Sequence, residues 1–386
     1  MRVLVTTPAG LGHIHPMVPL ARALADRGHE VRWALPETAA AHVTQHSLEV
    51  IPVAGCKPFT PQDVVERFPE VAQVPQRDRP EAIFGKLFGA MATPPMLEGL
   101  EPVARAWRPD LVVADAADFA GHIIAATLGI PSVTKGFGSL LPEIRSARAG
   151  EEVAPLWAAR GLEPPAYGGA YLTLYIDTYP PEMQREAGAH VPHRQLMRPI
   201  SADVAAAPDP SRLPLPTAPP DAPLVYVTMG TVFNDPDPLR RAVEGAGSLP
   251  VRVLATVGPA GDPAVLGRQP DHVRVERYVP QTEVLPHCDV VVSHGGSGTV
   301  LGALTLGIPQ VCLPQGADQF LNADAVAAAG AGVTIAPEGA TPAAISTAVE
   351  AVLNHPEHRQ AAQRIATSIQ QMPPPAEVAR ILEALA

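Results

Sequence analysis

The sequence predicts an α/β protein built from two parallel-sheet domains of similar size. Three observations carry that expectation. Short β-branched runs alternate with helical stretches in both halves of the chain, an order that requires right-handed crossovers and gives parallel sheets. Residues 199–223, P-I-S-A-D-V-A-A-A-P-D-P-S-R-L-P-L-P-T-A-P-P-D-A-P, form the sharpest compositional break and read as a semi-rigid interdomain linker. Glycine-rich turns follow predicted strands in each half, at 10–16 and at 291–299. Open sheets of this kind bind ligands outside the carboxyl ends of their strands, so two such sheets facing each other make a cleft lined by both sets of loops.

The elements follow in order. Residues 2–7, R-V-L-V-T-T, read as a buried strand ended by Pro8 and Gly10. A loop, P-A-G-L-G-H-I-H, leads to a helix opened by Pro16 and closed by Gly28, the usual proline-first, glycine-last asymmetry. Strands are expected at 30–35 and 48–53, with a helix between them. Residues 55–80 lose periodicity and read as a long loop. A helix over 81–107, a strand at 111–114 ending at Asp115, a helix over 118–128 and a strand at 131–134 follow. Residues 139–197 read as mostly helical, with several aromatics. After the linker, strands are expected near 224–229, 251–256, 273–275, 289–293, 310–313 and 332–335, with helices between.

Composition narrows the function. The 386 residues are 46% hydrophobic and 17% charged, a globular balance. Twenty-eight Lys and Arg against 39 Asp and Glu give a formal charge of -11, which disfavours nucleic acid and anionic lipid as partners. Cys56, Cys288 and Cys312 are far apart and odd in number, so neither a disulfide framework nor a zinc spacing is present. The run M-R-V-L-V-T-T-P is too short for a signal-peptide core, and no stretch approaches the ~18 apolar residues of a membrane span. A cytoplasmic protein is the expectation.

Two strand-end clusters carry chemistry. In G-L-G-H-I-H-P, residues 10–16, the third glycine of a dinucleotide fingerprint is replaced by His15, which disfavours a nicotinamide dehydrogenase. The cluster offers His13 on a glycine-flanked turn into a helix. A helix N-terminus disfavours imidazolium, so the ring stays in the neutral form that a general base needs. The alternative is a histidine that merely caps or packs. In V-V-S-H-G-G-S-G-T, residues 291–299, bare amides at a helix N-terminus suit phosphate. His294, Ser297 and Thr299 add side-chain donors, although the Lys of a P-loop is missing. The alternative is a tight turn that needs glycine for steric reasons. Downstream, Asp318 and Gln319 start a helix, either as a cap or as holders of sugar hydroxyls. The D-P-D of Asp235 and Asp237 reads as a loop and helix start, and no His/Cys/carboxylate cluster calls for a metal.

Taken together, G-H-I-H-P at 12–16, V-V-A-D at 112–115, T-M-G-T at 228–231, Y-V-P-Q at 278–281, H-G-G-S-G-T at 294–299 and A-D-Q-F-L-N-A at 317–323 resemble the GT-B glycosyltransferases of the UDP-glycosyltransferase superfamily. Closest in look are the bacterial enzymes that decorate natural products, including antibiotics, with sugars. The resemblance runs the length of the chain, and its C-terminal motifs are the specific ones. It implies an acceptor-binding Rossmann-like domain over 1–198, the linker over 199–223, a nucleotide-sugar domain over 224–370, and a C-terminal helix over 371–386 returning to the first domain.

The resemblance also implies roles. His13 is the base that takes a proton from an acceptor hydroxyl. Asp115 supports it, with Asp118 as a competitor three residues on. Gly230, Thr231, His294, Gly296, Ser297, Gly298 and Thr299 hold the donor diphosphate. Tyr278 and Val279 lie against the base, and Asp318 and Gln319 bind the sugar. Attack is direct, inverting and independent of metal. The nucleotide sugar is a co-substrate, and no cofactor is implied. Plant members carry Trp where Tyr278 stands, and Glu, on the ribose hydroxyls of UDP, where Gly302 stands. An unpaired buried Glu beside a deoxyribose is a liability, so Gly302 points to a dTDP-sugar. Phe59, Phe84, Phe88 and Met91 are candidates for an apolar acceptor pocket. A UDP-hexose transferase, a nucleotide-sugar epimerase or hydrolase, and a catalytically silent sugar-nucleotide-binding partner are the rival readings. The oligomeric state is left open, a homodimer being allowed.

Overall fold

The computed structural model describes residues 1–185, 188–202, 213–216, 221–230, 236–259 and 261–386. By contacts, the chain divides into two units. Met1–Tyr179, Glu186–Ala202 and Met372–Ala386 form the first, and Pro180–Arg185 and Asp203–Gln371 the second. Most of the Pro-rich stretch, 203–212 and 217–220, lies outside the described residues. Within it Leu213 is buried, and Leu215 partly buried, in a core cluster of the second unit.

The first unit holds β1 (Arg2–Thr6), β2 (Glu30–Pro36), β3 (Glu49–Val53), β4 (Leu111–Asp115), β5 (Ser132–Lys135), β6 (Leu174–Asp177) and β7 (Arg194–Leu196). All pair in parallel, in the order β3-β2-β1-β4-β5-β6-β7. Parallel sheets are buried on both faces, and β4 and β5 accordingly have no exposed residue. One face lies under the helices Leu11–Asp26 and Pro375–Glu383. Val3, Val5, Leu111, Val113 and Val133 meet Ile14, Met17, Val378 and Leu382 there. Glu383 fastens the C-terminal helix by accepting from Arg27 at 2.7 and 2.8 Å and from His29 at 2.8 Å. The other face carries Thr93–Trp107, Ala120–Leu128 and Glu143–Ala158.

The second unit holds β8 (Leu224–Thr228), β9 (Arg252–Thr256), β10 (Val273–Glu276), β11 (Val290–Ser293), β12 (Gln310–Cys312) and β13 (Gly332–Thr334). Their order is β10-β9-β8-β11-β12-β13, again parallel throughout. All six strands expected after the linker are present. Among the described residues, no helix is long and apolar enough to cross a membrane.

Three local expectations need correction. The first helix begins at Leu11, not Pro16, because the extended Gly10 (ψ 137°) offers its carbonyl to the N–H groups of His13 (2.9 Å) and Ile14 (3.0 Å). Pro16 and Pro19 thus lie inside the helix, where each lacks a ladder donor, and the burial of Ile14, Met17, Val18, Leu20 and Leu24 offsets the loss. Residues 55–80 are not a plain loop. Thr60 and Asp63 form a capping box that starts a helix over Pro61–Arg67, followed by a 3₁₀ turn over Pro69–Gln73. Residues 139–197 are not mostly helical either. Beyond Glu143–Ala158 they supply β6 and β7, four and three residues long, which are too short to show a period; β6 gains its ladder from β5, and β7 from β6.

His122 tests the packing of the first unit. It is buried between its helix and β5, its ring within hydrogen-bond distance of Ser132 Oγ (3.0 Å) and Thr134 Oγ1 (3.2 Å). Burial pushes its pKa down to about 4. Between that value and the ordinary ~6.5, the unfolded chain binds a proton that the folded one refuses. This group therefore removes up to ~1.4 kcal/mol of stability per pH unit as pH falls through that window. Trp33, Trp107 and Trp157, the only tryptophans, all lie in the first unit, so tryptophan fluorescence reports on it alone. Urea unfolding followed that way should depend less steeply on pH in His122→Gln than in the wild type. Equal slopes would mean that the buried ring protonates at no cost.

Candidate active site

Each sheet reverses its strand order once, between β1 and β4 in the first and between β8 and β11 in the second. Ligand crevices of open α/β sheets form at such points. His13 and Asp115 lie at the first, and Gly230 and His294 at the second.

In the first unit, the turn after β1 places His13 in the first turn of its helix, and β4 ends at Asp115. His13 Nδ1 lies 2.9 Å from Asp115 Oδ1, and the Ala117 N–H donates to the same oxygen at 2.8 Å. Asp115 is fully buried, while the His13 side chain is 17% exposed. A carboxylate only accepts, so Nδ1 carries the proton and Nε2 is left as the basic nitrogen. The competitor, Asp118, does something else. It accepts from Thr6 Oγ1 and from the Gly121 N–H at 3.0 Å, and burial pushes its pKa up to about 6.

Two aromatic rings meet the His13 imidazole edge-on. Phe137 stands 4.7 Å away and Phe88 5.3 Å away, centroid to centroid. Phe88 belongs to a π-helical segment, Gly85–Ala92, of the kind often found at functional sites. Gly85 and Gly89 let that segment lie close on the helix Glu143–Ala158; a Cβ on Gly89 would stand 2.9 Å from Glu152 Cβ. Of the four acceptor candidates, Phe88 touches His13. Phe84 is buried behind it at 5.0 Å. Met91 is buried in a separate cluster with Val64, Val71 and Leu87, against which Phe59 packs.

In the second unit, β11 runs into His294, Gly295 (φ +81°) and Gly296, and then the helix Ser297–Thr305. The His294 ring lies between two glycines. A Cβ on Gly230 would come within 2.6 Å of its Cε1, and one on Gly296 within 2.5 Å of its Nε2. Gly230 also has φ +77°, which L side chains rarely adopt. Burial pushes the His294 pKa down to about 4 against the opposing charge of Asp318, so the ring is neutral. Its Nδ1 is buried without a hydrogen-bond partner among the described residues.

Asp318 is tied to the glycine turn. Its Oδ2 accepts from Ser297 Oγ at 2.6 Å and from Asn322 Nδ2 at 2.9 Å. The same Asn322 nitrogen reaches the Gly295 carbonyl (2.9 Å) and Ser297 Oγ (3.0 Å). Gln319 Oε1 accepts the N–H groups of Gln315 (2.7 Å) and Gly316 (3.0 Å), holding the loop in which Ala317 takes φ +54°. Thr299 Oγ1 accepts from Gln281 Nε2 at 3.0 Å. Tyr278 is 48% exposed, Val279 is buried in the core, and Gly298 is exposed. Thr231 lies outside the described residues.

Sequence reasoning missed Phe137, Gln281 and Asn322 as site residues. Asn322 stands one helical turn after Asp318, and that i, i+4 spacing was the available signal. The first unit thus offers an oriented imidazole with a buried carboxylate behind it. The second offers a helix N-terminus, hydroxyls and a neutral histidine, a setting for an anion. Among the described residues, no group of three or more His, Cys, Asp or Glu converges as a metal site.

Comparison with known proteins places the whole chain. The N-terminal domain of the erythromycin biosynthesis protein CIII-like family matches residues 22–275, and its C-terminal domain matches 241–385. The chain is 32% identical to an L-demethylnoviosyl transferase of Streptomyces niveus, over 100% of this chain and 98% of that protein. It is 35% identical to the elloramycin glycosyltransferase ElmGT of Streptomyces olivaceus, over 98% and 96%. Among solved structures, the spinosyn rhamnosyltransferase SpnG superimposes with a TM-score of 0.84 at 30% identity, covering 99% of this chain and 100% of that one. SpnG has also been solved with thymidine diphosphate (TM-score 0.82, 30% identity, 99% and 100% coverage).

Asn322→Ala removes the donor to the Gly295 carbonyl and loosens Asp318. Leaving a buried carbonyl unpaired costs ~1–3 kcal/mol. Hydrogen–deuterium exchange should quicken over 294–299 and 315–319 and stay unchanged in the first unit. Unaltered exchange over 294–299 would show that Asn322 does not hold the turn.

Proposed function

The chain belongs to the erythromycin biosynthesis protein CIII-like family of glycosyltransferases, and from that premise we propose that it transfers a deoxysugar from a dTDP donor to a hydroxyl of an apolar natural product, with inversion. The observation that carries the mechanism is the 2.9 Å bond between His13 and the buried Asp115. His13 Nε2 takes the acceptor's proton as the acceptor oxygen attacks the anomeric carbon. The bond from that carbon to the phosphate oxygen breaks, and its electron pair leaves on the dTDP. The proton stays on His13 as imidazolium, and Asp115 stabilises it, as the aspartate of a hydrolase triad does. One in-line displacement inverts the anomeric centre.

Negative charge grows on the diphosphate as it leaves. The amides of Ser297, Gly298 and Thr299 at the helix N-terminus, with the neutral His294 beside them, are assigned to meet that charge. Asp318, held by Ser297 and Asn322, is assigned to the sugar hydroxyls, with Gln319 shaping the loop beneath. Thr231 belongs to this set by motif alone. The scheme uses no metal and no cofactor beyond the donor. Phe88 and Phe137 give the His13 site apolar walls, which supports an apolar acceptor.

Two observations support dTDP. SpnG was solved with that nucleotide, and Gly302 stands on the helix Ser297–Thr305 beside Gln281 and Leu285, with no carboxylate of the described residues within 4 Å of where its Cβ would stand. A Cβ on Gly302 would meet Leu285 Cδ1, a movable side-chain end, at 3.2 Å, so the site admits a side chain.

Two tests follow. Calorimetry on the purified protein should show tighter binding of dTDP than of UDP, and Gly302→Glu should lose or reverse that preference. Tighter binding of UDP by the wild type would move the donor to a common UDP-hexose. His13→Ala should cut turnover on an aliphatic hydroxyl by ~10²–10⁴-fold, the usual worth of a general base, with dTDP binding unchanged. Full turnover in that variant would end the assignment of His13.

A further inference from the structure

One buried charge beside the His13–Asp115 pair has no part in the chemistry above. Lys135 ends β5 and is fully buried. Across the ladder it stands opposite Asp115, so the two side chains leave the same face of the sheet. That face lies under the His13 helix, because Val113 and Val133, two residues earlier on each strand, pack with Ile14 and Met17. The Lys135 ammonium donates to the Gly136 carbonyl and, at 3.4 Å, to Thr178 Oγ1.

Asp115 has an unbalanced environment. Its Oδ1 is bonded to His13 and Ala117, but its Oδ2 is buried without a hydrogen-bond partner among the described residues. A buried carboxylate is costly unless a cation or further donors stand near it. Several charged or titratable groups stand around the pair. His13 approaches from its helix, and Asp118 from the turn after β4. Lys135 comes from β5, and Tyr175 and Asp177 from β6, with Arg194 of β7 at 3.7 Å from Asp177. Arg194 is partly exposed and engaged by Asp177, whereas Lys135 is fully buried and adjacent to Asp115. Burial pulls the Lys135 pKa down to about 8 while Asp115 and Asp177 hold it up, so the group is cationic at neutral pH.

We propose that Lys135 is a positioning residue for the His13–Asp115 pair: its ammonium keeps Asp115 a carboxylate away from water, so that the His13 Nδ1–H stays turned onto it and Nε2 remains the basic nitrogen. The catalytic meaning rests on His13 being the base, whereas the electrostatic link between Lys135 and the pair does not. Removing a cation makes a proton more welcome on the pair, whichever partner holds it, so the pair's apparent pKa rises.

The test needs no acceptor. Full-length protein carrying isotope-labelled histidines is titrated by NMR, with the His13 ring assigned by its loss in His13→Asn. Lys135→Met should raise the pH at which the His13 ring responds to protonation by ~1 unit, and Lys135→Arg should leave it at the wild-type value. A Lys135→Met titration that superimposes on the wild type overturns the proposal. Calorimetric dTDP binding and tryptophan fluorescence show whether the variants are folded. If Lys135→Met does not fold, the wild type serves instead. Its His13 ring should show a second inflection as Lys135 loses its proton at about 8, and a flat response there overturns the proposal equally. Turnover of His13→Ala separates the two readings. Full turnover together with the Lys135 shift ends the base assignment and leaves the coupling. Lost turnover without the shift does the reverse.

Discussion

The rest of the structure depends on a constraint of connectivity. A parallel sheet built from right-handed crossovers grows in one direction with its helices on one face, and growing it the other way puts helices on the opposite face. Where the direction reverses, the loops leaving two adjacent strands part and open a crevice. Both sheets reverse once, at β1/β4 and at β8/β11. The register there sets Thr6 opposite Ala114, and Thr228 opposite Ser293. The next residues along are those that lead to His13, Asp115, Gly230 and His294. Residues distant in sequence meet because the ladder leaves them no other place.

The two histidines at these points differ only in surroundings. His13 has a buried carboxylate on Nδ1 and aromatic walls, and 17% of its side chain is exposed, so a proton arriving on Nε2 finds its charge already balanced. His294 is wedged between Gly230 and Gly296, where any Cβ would collide with the ring. Among the described residues no carboxylate hydrogen-bonds it, and burial holds it neutral. The first environment suits the base proposed above, and the second suits a fixed polar group that adds no charge of its own.

Much of this was legible in the sequence because it rests on local signals. The six strands after the linker are bounded by glycine, proline and polar turns, and both histidine clusters follow strands directly. The pairing of His13 with Asp115 rather than Asp118 was legible by motif; the structure adds that Asp118 is occupied by Thr6 and Gly121. What was not legible depends on tertiary partners. The early start of the first helix turns on the extended backbone of Gly10, which overrides the proline signal at 16. β6 exists because β5 offers it a ladder, and β7 because β6 does. Phe137 reaches His13 only through the path of the chain after β5, and Lys135 matters only because register sets it opposite Asp115.

Some of the buried unpaired polar atoms belong to the candidate sites, while others, such as Ser139 Oγ and Gln310 Oε1, lie elsewhere. Asp115 Oδ2, His294 Nδ1 and Asn322 Oδ1 are each buried without a hydrogen-bond partner among the described residues, and each belongs to a site residue or its immediate support. A buried unpaired polar group costs ~1–3 kcal/mol, and the left-handed Ala317 beside Asp318 adds backbone strain. These costs are borne when the chain folds, with the packing of two large cores to offset them. In return the imidazole of His13 and the carboxylate of Asp318 are already held in place, so the proposed reaction would need little reorganisation. For the transfer proposed above, groups held in place in this way are the arrangement in which electrostatic stabilisation of a leaving diphosphate would be most effective.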